Sequence, residues 1–507
     1  MDSSFPELFR RRALRDPERR ALTFGGRSWT YAELRRSFET LAGRLHELGL
    51  RRGDRLLYAG LNHPSLVHAM FAAMDLGAVF VPVDPRLASP ERAWVMEDIR
   101  PQVVVVADEF REAFAAAAPG QTTVLSADGP GQGGIAGLIE SGGAPARSPV
   151  ARTDLALILY TSGTTGRAKG VLHTHEMILA NGLNLARLLG TRRDDVGLVM
   201  TPMFHTAGIN TSPVNLWAYG GEVVLLPRMD GPAALDAIVR HRVTRIDTVT
   251  AALHVLFHTP GFGDADLAAI RSLNVGGAAI PAEQVASFRK HGAEVFMAVG
   301  MTECCVAAAL APERIDAKPA SVGTPLSLVD ARLVDIESGR EVTGPGVPGE
   351  LRLRGPSVSQ GYWNNPQATA AAFDSEGWYR TGDIARMDED GDLYLVGRVK
   401  DVIKTGGESV AAAEVERVIA EHPAVSVCAV VGAPDERWGE TIVAVVSVRA
   451  GRTLGLEELR AFCADRLARF KLPTGLVVTD DIPMTASGKI AKGRIRERIA
   501  ASPPPAG

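Results

Sequence analysis

The chain of 507 residues is too long for one simple core, because domains cluster at ~100–200 residues, so several packed units are expected. At 46% hydrophobic and 22% charged residues, its composition is that of an ordinary globular protein. A net charge of −4 argues against a nucleic-acid binder, which carries a basic field.

The opening residues, MDSSFPELFRRR, hold no apolar stretch of signal-peptide type, and no apolar run reaches the ~18 residues that span a bilayer. The basic run FRRRALRDPERR (residues 9–20) is broken by acidic residues and a proline, so a solvated helix face and loop is expected there rather than a membrane contact. Up to about residue 400, short apolar runs alternate with amphipathic segments. RLLYAGL (55–61), AVFVPV (78–83), QVVVVAD (102–108), ALILYTS (156–162), EVVLLP (222–227) and RSLNVGG (271–277) read as buried strands. YAELRRSFETLAGRLHELG (31–49) and EQVASFRKHG (283–292) read as helices. The alternation predicts an α/β fold of mainly parallel sheets covered by helices, with ligands at the carboxyl ends of strands.

Residues 119–148, rich in Ala, Gly, Pro and Ser, read as a surface connection without a domain break. From Leu328 the spacings shorten and turn signals multiply, in ARLVD, GELRLRG and GDLYLVGRVKDV, which predicts a small β-rich subdomain over about 328–399. Residues 1–399 are thus expected to form a large N-terminal domain and 400–500 a small α+β C-terminal domain. The tail ASPPPAG (501–507) is expected to be disordered. Of the four cysteines, adjacent Cys304 and Cys305 are poorly placed to bond each other, and with Cys428 and Cys463 they make no zinc-type spacing. A reduced, cytoplasmic setting is the expectation.

The densest chemical signal is YTSGTTGRAKGV (160–171). The apolar strand ALILY ends in a loop with Thr161, Ser162, Thr164 and Thr165 as hydroxyls, Gly163 and Gly166 as close-approach points, and Lys169 as a mobile cation. This suits a triphosphate. It is not the GxxxxGK[ST] loop, because Gly170 follows Lys169. A flexible surface linker is the competing reading, although linkers seldom follow a buried strand directly.

Further blocks occur in order: FHTAG (204–208), VGGAAIP (275–281), VGMTE (299–303), YRTGDIA (379–385), GRVKDVIKTGGESV (397–410) and TASGKI (485–490). Together with the loop, they resemble the signature of the acyl-adenylate-forming superfamily, which includes acyl-CoA synthetases, peptide-synthetase adenylation domains and luciferases, over nearly the whole chain. The resemblance implies two half-reactions. A carboxylate attacks the α-phosphate of ATP to give acyl-AMP and pyrophosphate. A mobile C-terminal lid then turns and the thiol of coenzyme A displaces AMP.

The resemblance also implies roles. Lys489 would stabilise charge on the acid oxygen and the α-phosphate, Glu303 would hold Mg2+, Thr302 would donate to the α-phosphate, and His205 would orient the acid. Gly277, Ala278, Ala279, Val299, Gly300 and Met301 would border the nucleotide, Asp383 would accept from the ribose hydroxyls, and Arg398 would add a donor. Lys400 matches the hinge, Lys404 would approach the acyl-phosphate in one lid state, and Gly406 and Gly407 would line the path of the thiol. Each residue also has a structural reading: a solvated lysine, a capped turn, a surface ion pair, an exposed hairpin.

Two departures stand out. Val299 occupies the place of an aromatic that stacks on adenine, at a cost of ~1–3 kcal/mol if nothing compensates. Ser409 and three alanines replace an Asn and an aromatic-Pro pair. Weak adenylation is therefore one expectation. The acid site, from Ala207, Gly208, Ile209, Gly276, Val306 and Ala307, is small-residue and apolar and suits a bulky hydrophobic carboxylic acid. The leading expectation is an ATP-dependent acid–CoA ligase. A stand-alone enzyme loading a separate carrier protein, and a variant confined mainly to thioester formation, are the alternatives. The identity of the acid and the oligomeric state stay open.

Overall fold

The computed structural model describes residues 3–129, 131, 133–161, 167–277, 280–406, 408–435, 437–484 and 490–501. The chain is α/β and divides into two compact units, Met1–Ala331 with Leu353–Tyr379, and Arg332–Arg352 with Arg380–Gly507.

Two sheets dominate the first unit. One runs, among the described residues, in the order Thr123–Ser126, Val103–Val106, Arg55–Ala59, Val79–Val83, Leu155–Thr161, Lys169–Thr174. All its neighbours are parallel except the last pair. Its strands Val79–Val83 and Val103–Val106 are buried along their whole length, the latter with four valines. The other sheet has nine strands. Its middle, Glu294–Met301, Ser272–Gly276, Arg245–Val249, Val196–Val199, Glu222–Leu225 and Arg20–Phe24, is parallel. Antiparallel strands close both edges. Every strand read from the sequence is present, within a few residues at its ends, and the helices at 31–49 and 283–292 are Tyr31–Glu47 and Ala282–Lys290. Tyr31–Glu47 starts where it does because Thr30 Oγ1 accepts from Glu33 N–H (3.2 Å) while Glu33 Oε2 accepts from Thr30 N–H (2.8 Å).

Two expectations need correction. The basic run at residues 9–20 is not simply a solvated face. It belongs largely to the helix Phe5–Arg15, whose Phe5, Phe9 and Ala13 are buried. Phe9 lies 4.7 Å from Phe71 between ring centroids, and buried Arg10 is ion-paired to Asp75 and to Glu39 (2.7 Å). Residues 119–148 are more than a connection, since they contain the strand Thr123–Ser126 and the helix Ile135–Glu140. Ile135 and Leu138, three apart on one helix face, join the core beside Leu41 and Leu45. The segment then passes so close to the Tyr31–Glu47 helix that a Cβ on Gly43 would meet Ala144 O at 2.0 Å.

The second unit holds most of a four-stranded sheet ordered Asp330–Val334, Gly349–Arg354, Tyr379–Met387, Leu393–Arg398. It also holds a five-stranded sheet built on the long hairpin Val425–Asp435 and Gly439–Val448. Helix Ala412–Ala420 packs on one face of that hairpin. Helix Lys492–Ala501 lays Ile495 and Ile499 on the other, against Ala429, Val431 and Val443. Among the described residues, no helix is long and apolar enough to cross a membrane.

Candidate active site

The carboxyl ends of the parallel strands in the nine-stranded sheet gather most of the residues singled out in the first unit. Val249, Gly276 and Ala298 lie side by side in register at that edge. The chain leaves the strand Val196–Val199 there and reaches His205, which precedes the short helix Thr206–Ile209. The strand Glu294–Met301 continues to Met301, and Thr302, Glu303 and Cys304 make the turn to Cys305–Leu310, with Met301 opposite Cys305. Gly300 is required here, because a Cβ would meet Cys305 O at 2.0 Å. Val299 faces Ala308 across the pair.

Residues 162–168 are flanked by the antiparallel strands Leu155–Thr161 and Lys169–Thr174, with Thr161 opposite Lys169. Residues Ser162, Gly163, Thr164, Thr165 and Gly166 lie outside the described residues, as do Ala278, Ala279, Gly407 and Lys489. Lys169 Nζ sits 5.2 Å from the ring centroid of Tyr362, within cation–π range. The Tyr362 hydroxyl donates to Glu303 Oε1 at 2.9 Å, and Tyr379 hydrogen-bonds Tyr362 in turn. Backbone pairing fixes this tyrosine: Leu172 N–H donates to Gly361 O (3.1 Å), Trp363 N–H to Gly170 O (2.7 Å) and Ser359 N–H to Glu303 O (2.7 Å). Burial first, and the Glu303 charge second, push both phenols above the ordinary tyrosine range, so they stay protonated donors.

Behind the Glu303 turn lies a buried polar group. His173 Nδ1 is 3.3 Å from Asn210 Nδ2 and 4.0 Å from Cys305 Sγ, and Val306 N–H donates to Asn181 Oδ1 (3.3 Å). Asn181 also donates to Asn210 O. These contacts tie the Thr206–Ile209 helix to the turn. Burial pushes His173 down to about 3 and the Cys305 thiol up to about 12, so His173 is neutral and Cys305 is no ready nucleophile. Gly208, Ile209, Val306 and Ala307 are each buried, with Ala207 and Gly276 half-buried. A Cβ on Gly208 would meet Pro202 O at 2.1 Å. His205 is exposed, its ring 4.7 Å from that of Phe204.

In the second unit, Asp383 and Arg398 face each other across two strands, with Arg398 Nε 2.8 Å from Asp383 Oδ1. Lys400 sits in the turn Val399–Asp401, its ammonium lowered below the usual range by burial, with Asp401 opposing that shift. Lys404 Nζ donates to Glu337 Oε1 (3.2 Å). Gly406 has φ +59°, and a Cβ there would meet the Trp438 ring at 2.9 Å, so only glycine fits this turn.

Two family models match the chain: AMP-binding enzyme over residues 9–363 and AMP-binding enzyme C-terminal domain over residues 414–489. The chain belongs to the AMP-binding enzyme family. It is 37% identical over 490 residues to a feruloyl-CoA synthase from an Amycolatopsis species, an alignment covering 96% of this chain and 98% of the relative. It is 36% identical to an indoleacetate–CoA ligase from Aromatoleum aromaticum, covering 97% and 98%. The O-succinylbenzoate coenzyme A synthetase of Bacillus subtilis in complex with ATP and a magnesium ion superposes with a TM-score of 0.84 at 30% identity, covering 97% of this chain and 99% of that one. This AMP-binding enzyme is accordingly an AMP-forming acid–thiol ligase of the acyl-adenylate-forming superfamily, working with ATP, Mg2+ and coenzyme A.

Sequence reasoning on this AMP-binding enzyme missed Tyr362, which meets both Lys169 and Glu303, and the His173–Asn210–Asn181 group, and gave no role to Tyr379 of YRTGDIA. Tyr362 sits in GYW (361–363), with no local mark of chemistry. Its role comes from an isolated bridge to Val171, a pairing distant in sequence.

Proposed function

We propose that this AMP-binding enzyme is an ATP-dependent acid–CoA ligase for a bulky hydrophobic carboxylic acid, with aryl acids as the leading class, acting through acyl-AMP. The observation that carries the reading is the meeting of Lys169 and Glu303 on the single residue Tyr362. A cation for phosphate oxygens and a carboxylate for a metal thus adjoin, and the apolar Val306 and Ala307 follow Glu303 closely in the chain. The names of the aryl-acid relatives support the substrate class.

An acid oxygen attacks the α-phosphorus and the bond to the pyrophosphate oxygen breaks, so the protein's task is alignment and charge stabilisation. Lys169 neutralises leaving phosphate charge, Thr302 donates to the α-phosphate and Lys489 stabilises the entering oxygen. The hydroxyls and glycines of 161–166 cradle the phosphates. The Glu303 carboxylate, with one oxygen oriented by Tyr362, is the hard donor that Mg2+ prefers, and the ion would offset phosphate charge there. Asp383 and Arg398 hold the ribose, and Gly277–Ala279 and Val299–Met301 border adenine. Lys400 is the hinge of a C-terminal lid spanning 400–500. In the second half-reaction the thiol sulfur attacks the acyl carbon, the acyl–phosphate bond breaks and AMP leaves. The thiol proton passes to solvent, since a free thiol is partly ionised near neutral pH.

Mass spectrometry tests this with ATP, Mg2+ and an acid panel spanning ferulate, indoleacetate, fatty and dicarboxylic acids. CoA and phosphopantetheinylated carrier proteins are offered as separate thiols. The expected result is acyl-AMP and acyl-CoA from an aryl acid. Preference for a short dicarboxylate, or transfer only to a carrier, would overturn the reading.

A further inference from the structure

Lys489 lies outside the described residues, but the chain on either side of 485–489 is described. Met484 and Ile490 form an antiparallel bridge and Ala491 N–H donates to Pro483 O at 2.8 Å. The next residue, Lys492, opens the last helix, Lys492–Ala501. Its ammonium does not point into solvent. Lys492 Nζ lies 2.7 Å from Glu416 Oε1 and 4.0 Å from Asp401 Oδ2, and its side chain is 18% exposed. Glu416 belongs to helix Ala412–Ala420 and is itself fixed, because Oε1 also accepts from Val430 N–H at 2.7 Å. Asp401 follows Lys400 directly. One turn further along the last helix, Arg496 ion-pairs with Asp401 and donates to Lys400 O at 3.2 Å.

The charges form one chain, Glu416–Lys492–Asp401–Arg496, linking the start of the last helix to the residue after Lys400. A pair of partly buried charges is a costly way to gain stability, since an apolar pair of similar volume does as well. Its directional geometry makes it well suited to holding position. We propose that Lys492 and Glu416 are positioning residues for the first half-reaction: their ion pair, extended to Asp401, holds the start of the last helix, which follows Lys489 closely in sequence, against residues 400–401. The inference rests on the reading of Lys489 as the adenylation cation and Lys400 as the hinge. Lys492 touches no reacting atom and moves no proton; it acts through Lys489.

The test separates the half-reactions in the full-length enzyme. Adenylation is followed as ATP–pyrophosphate exchange with ferulate, or with the best acid of the panel above. Thioester formation is followed from the corresponding chemically prepared acyl-AMP and CoA. Misplacing a catalytic group by an ångström costs on the order of a hundredfold, so K492M and E416Q are expected to slow exchange by about ten- to a hundredfold. Thioester formation should change by less than about threefold, because Lys489 is not asked to act there. K492R, which keeps the cation, restores most of the exchange. Thermal unfolding of each variant gives the control for folding, and E416Q stands in if K492M does not fold. Parallel loss of both half-reactions, or no loss in either, overturns the inference. K489A discriminates the layers: if K489A abolishes exchange while K492M and E416Q do not alter it, positioning alone is wrong. If K489A leaves exchange intact, the assignment of Lys489 falls and the inference with it.

Discussion

Tyr362→Phe removes one oxygen and nothing else from the centre of the proposed metal and phosphate site. The lost bonds are a 2.9 Å donation from a half-buried phenol to the Glu303 carboxylate, which carries the effect on the metal site, and the hydrogen bond that Tyr379 makes to the same oxygen. Hydrogen bonds to a charged acceptor contribute ~1.5–3 kcal/mol, and partial exposure places this one at the lower end. If that energy orients Glu303 for Mg2+, kcat/KM for MgATP in pyrophosphate exchange falls on the order of tenfold. The phenyl ring stays, so Lys169 keeps its face-on contact at 5.2 Å. Tyr362→Leu removes that as well and adds about 0.5–2 kcal/mol to the loss. The defect of Tyr362→Phe should shrink at high Mg2+, because mass action replaces orientation, and thioester formation from supplied acyl-AMP should be nearly unchanged. A Tyr362→Phe enzyme within about twofold of wild type at low Mg2+, or one impaired only in thioester formation, would refute the assignment of Tyr362 and weaken that of Glu303.

Val299→Tyr restores an aromatic face where adenine is proposed to lie, and the opposing Ala308 is small. KM for ATP should fall by roughly 5- to 150-fold, corresponding to ~1–3 kcal/mol of stacking, and an unchanged or raised KM speaks against nucleotide placement at this strand. Asp247→Ala strands the guanidinium of Arg245, which is 1% exposed and donates to Asp247 Oδ2 at 2.6 Å. Unfolding in urea should show a loss of about 3–5 kcal/mol, and a loss under ~1 kcal/mol would mean that Thr191 and Asn215 suffice as partners. Burial holds His68 and His173 near 3 and His175 near 4, against ~6.5 in the unfolded chain. The unfolded chain therefore binds protons first. Stability is complete above about pH 6.5 and falls below it, by up to ~1.4 kcal/mol per pH unit for each histidine. His173→Asn should remove one such contribution between pH 6 and 4, and an unaltered slope would show that His173 protonates in the folded state.

How much of this was legible follows from where each residue's constraint originates. The strands of the first unit could be read because a strand buried on both faces writes its burial into consecutive residues, as Val103–Val106 does. The loop after Leu155–Thr161 drew notice because glycines and hydroxyls crowd into a few residues, and the turn at Thr302–Cys304 because VGMTE resembles a family block. Gly300, pressed to 2.0 Å from Cys305 O by an added Cβ, shows a local demand for glycine. The errors arose where composition and packing disagree. A glycine-rich stretch still carries Ile135 and Leu138 at helical spacing, and a basic run still carries Phe5, Phe9 and Ala13 on one face with Arg10 paired beneath it.

Tyr362, His173 and Lys492 are a different case, because their roles are set by partners 37 or more positions away. Tyr362 meets Glu303 across 59 positions and His173 meets Cys305 across 132. Lys492 meets Glu416 and Asp401 only because the last helix packs on the far side of a hairpin. Motif residues answer to a ligand that every member of such a family shares, so their spacing is written locally. The residues that hold them answer to the fold, and any side chain with the right reach can serve. Differences in rate between AMP-binding enzymes with identical motifs should therefore trace to such supporting pairs, and the split between half-reactions in Lys492 and Glu416 variants is where that expectation meets measurement.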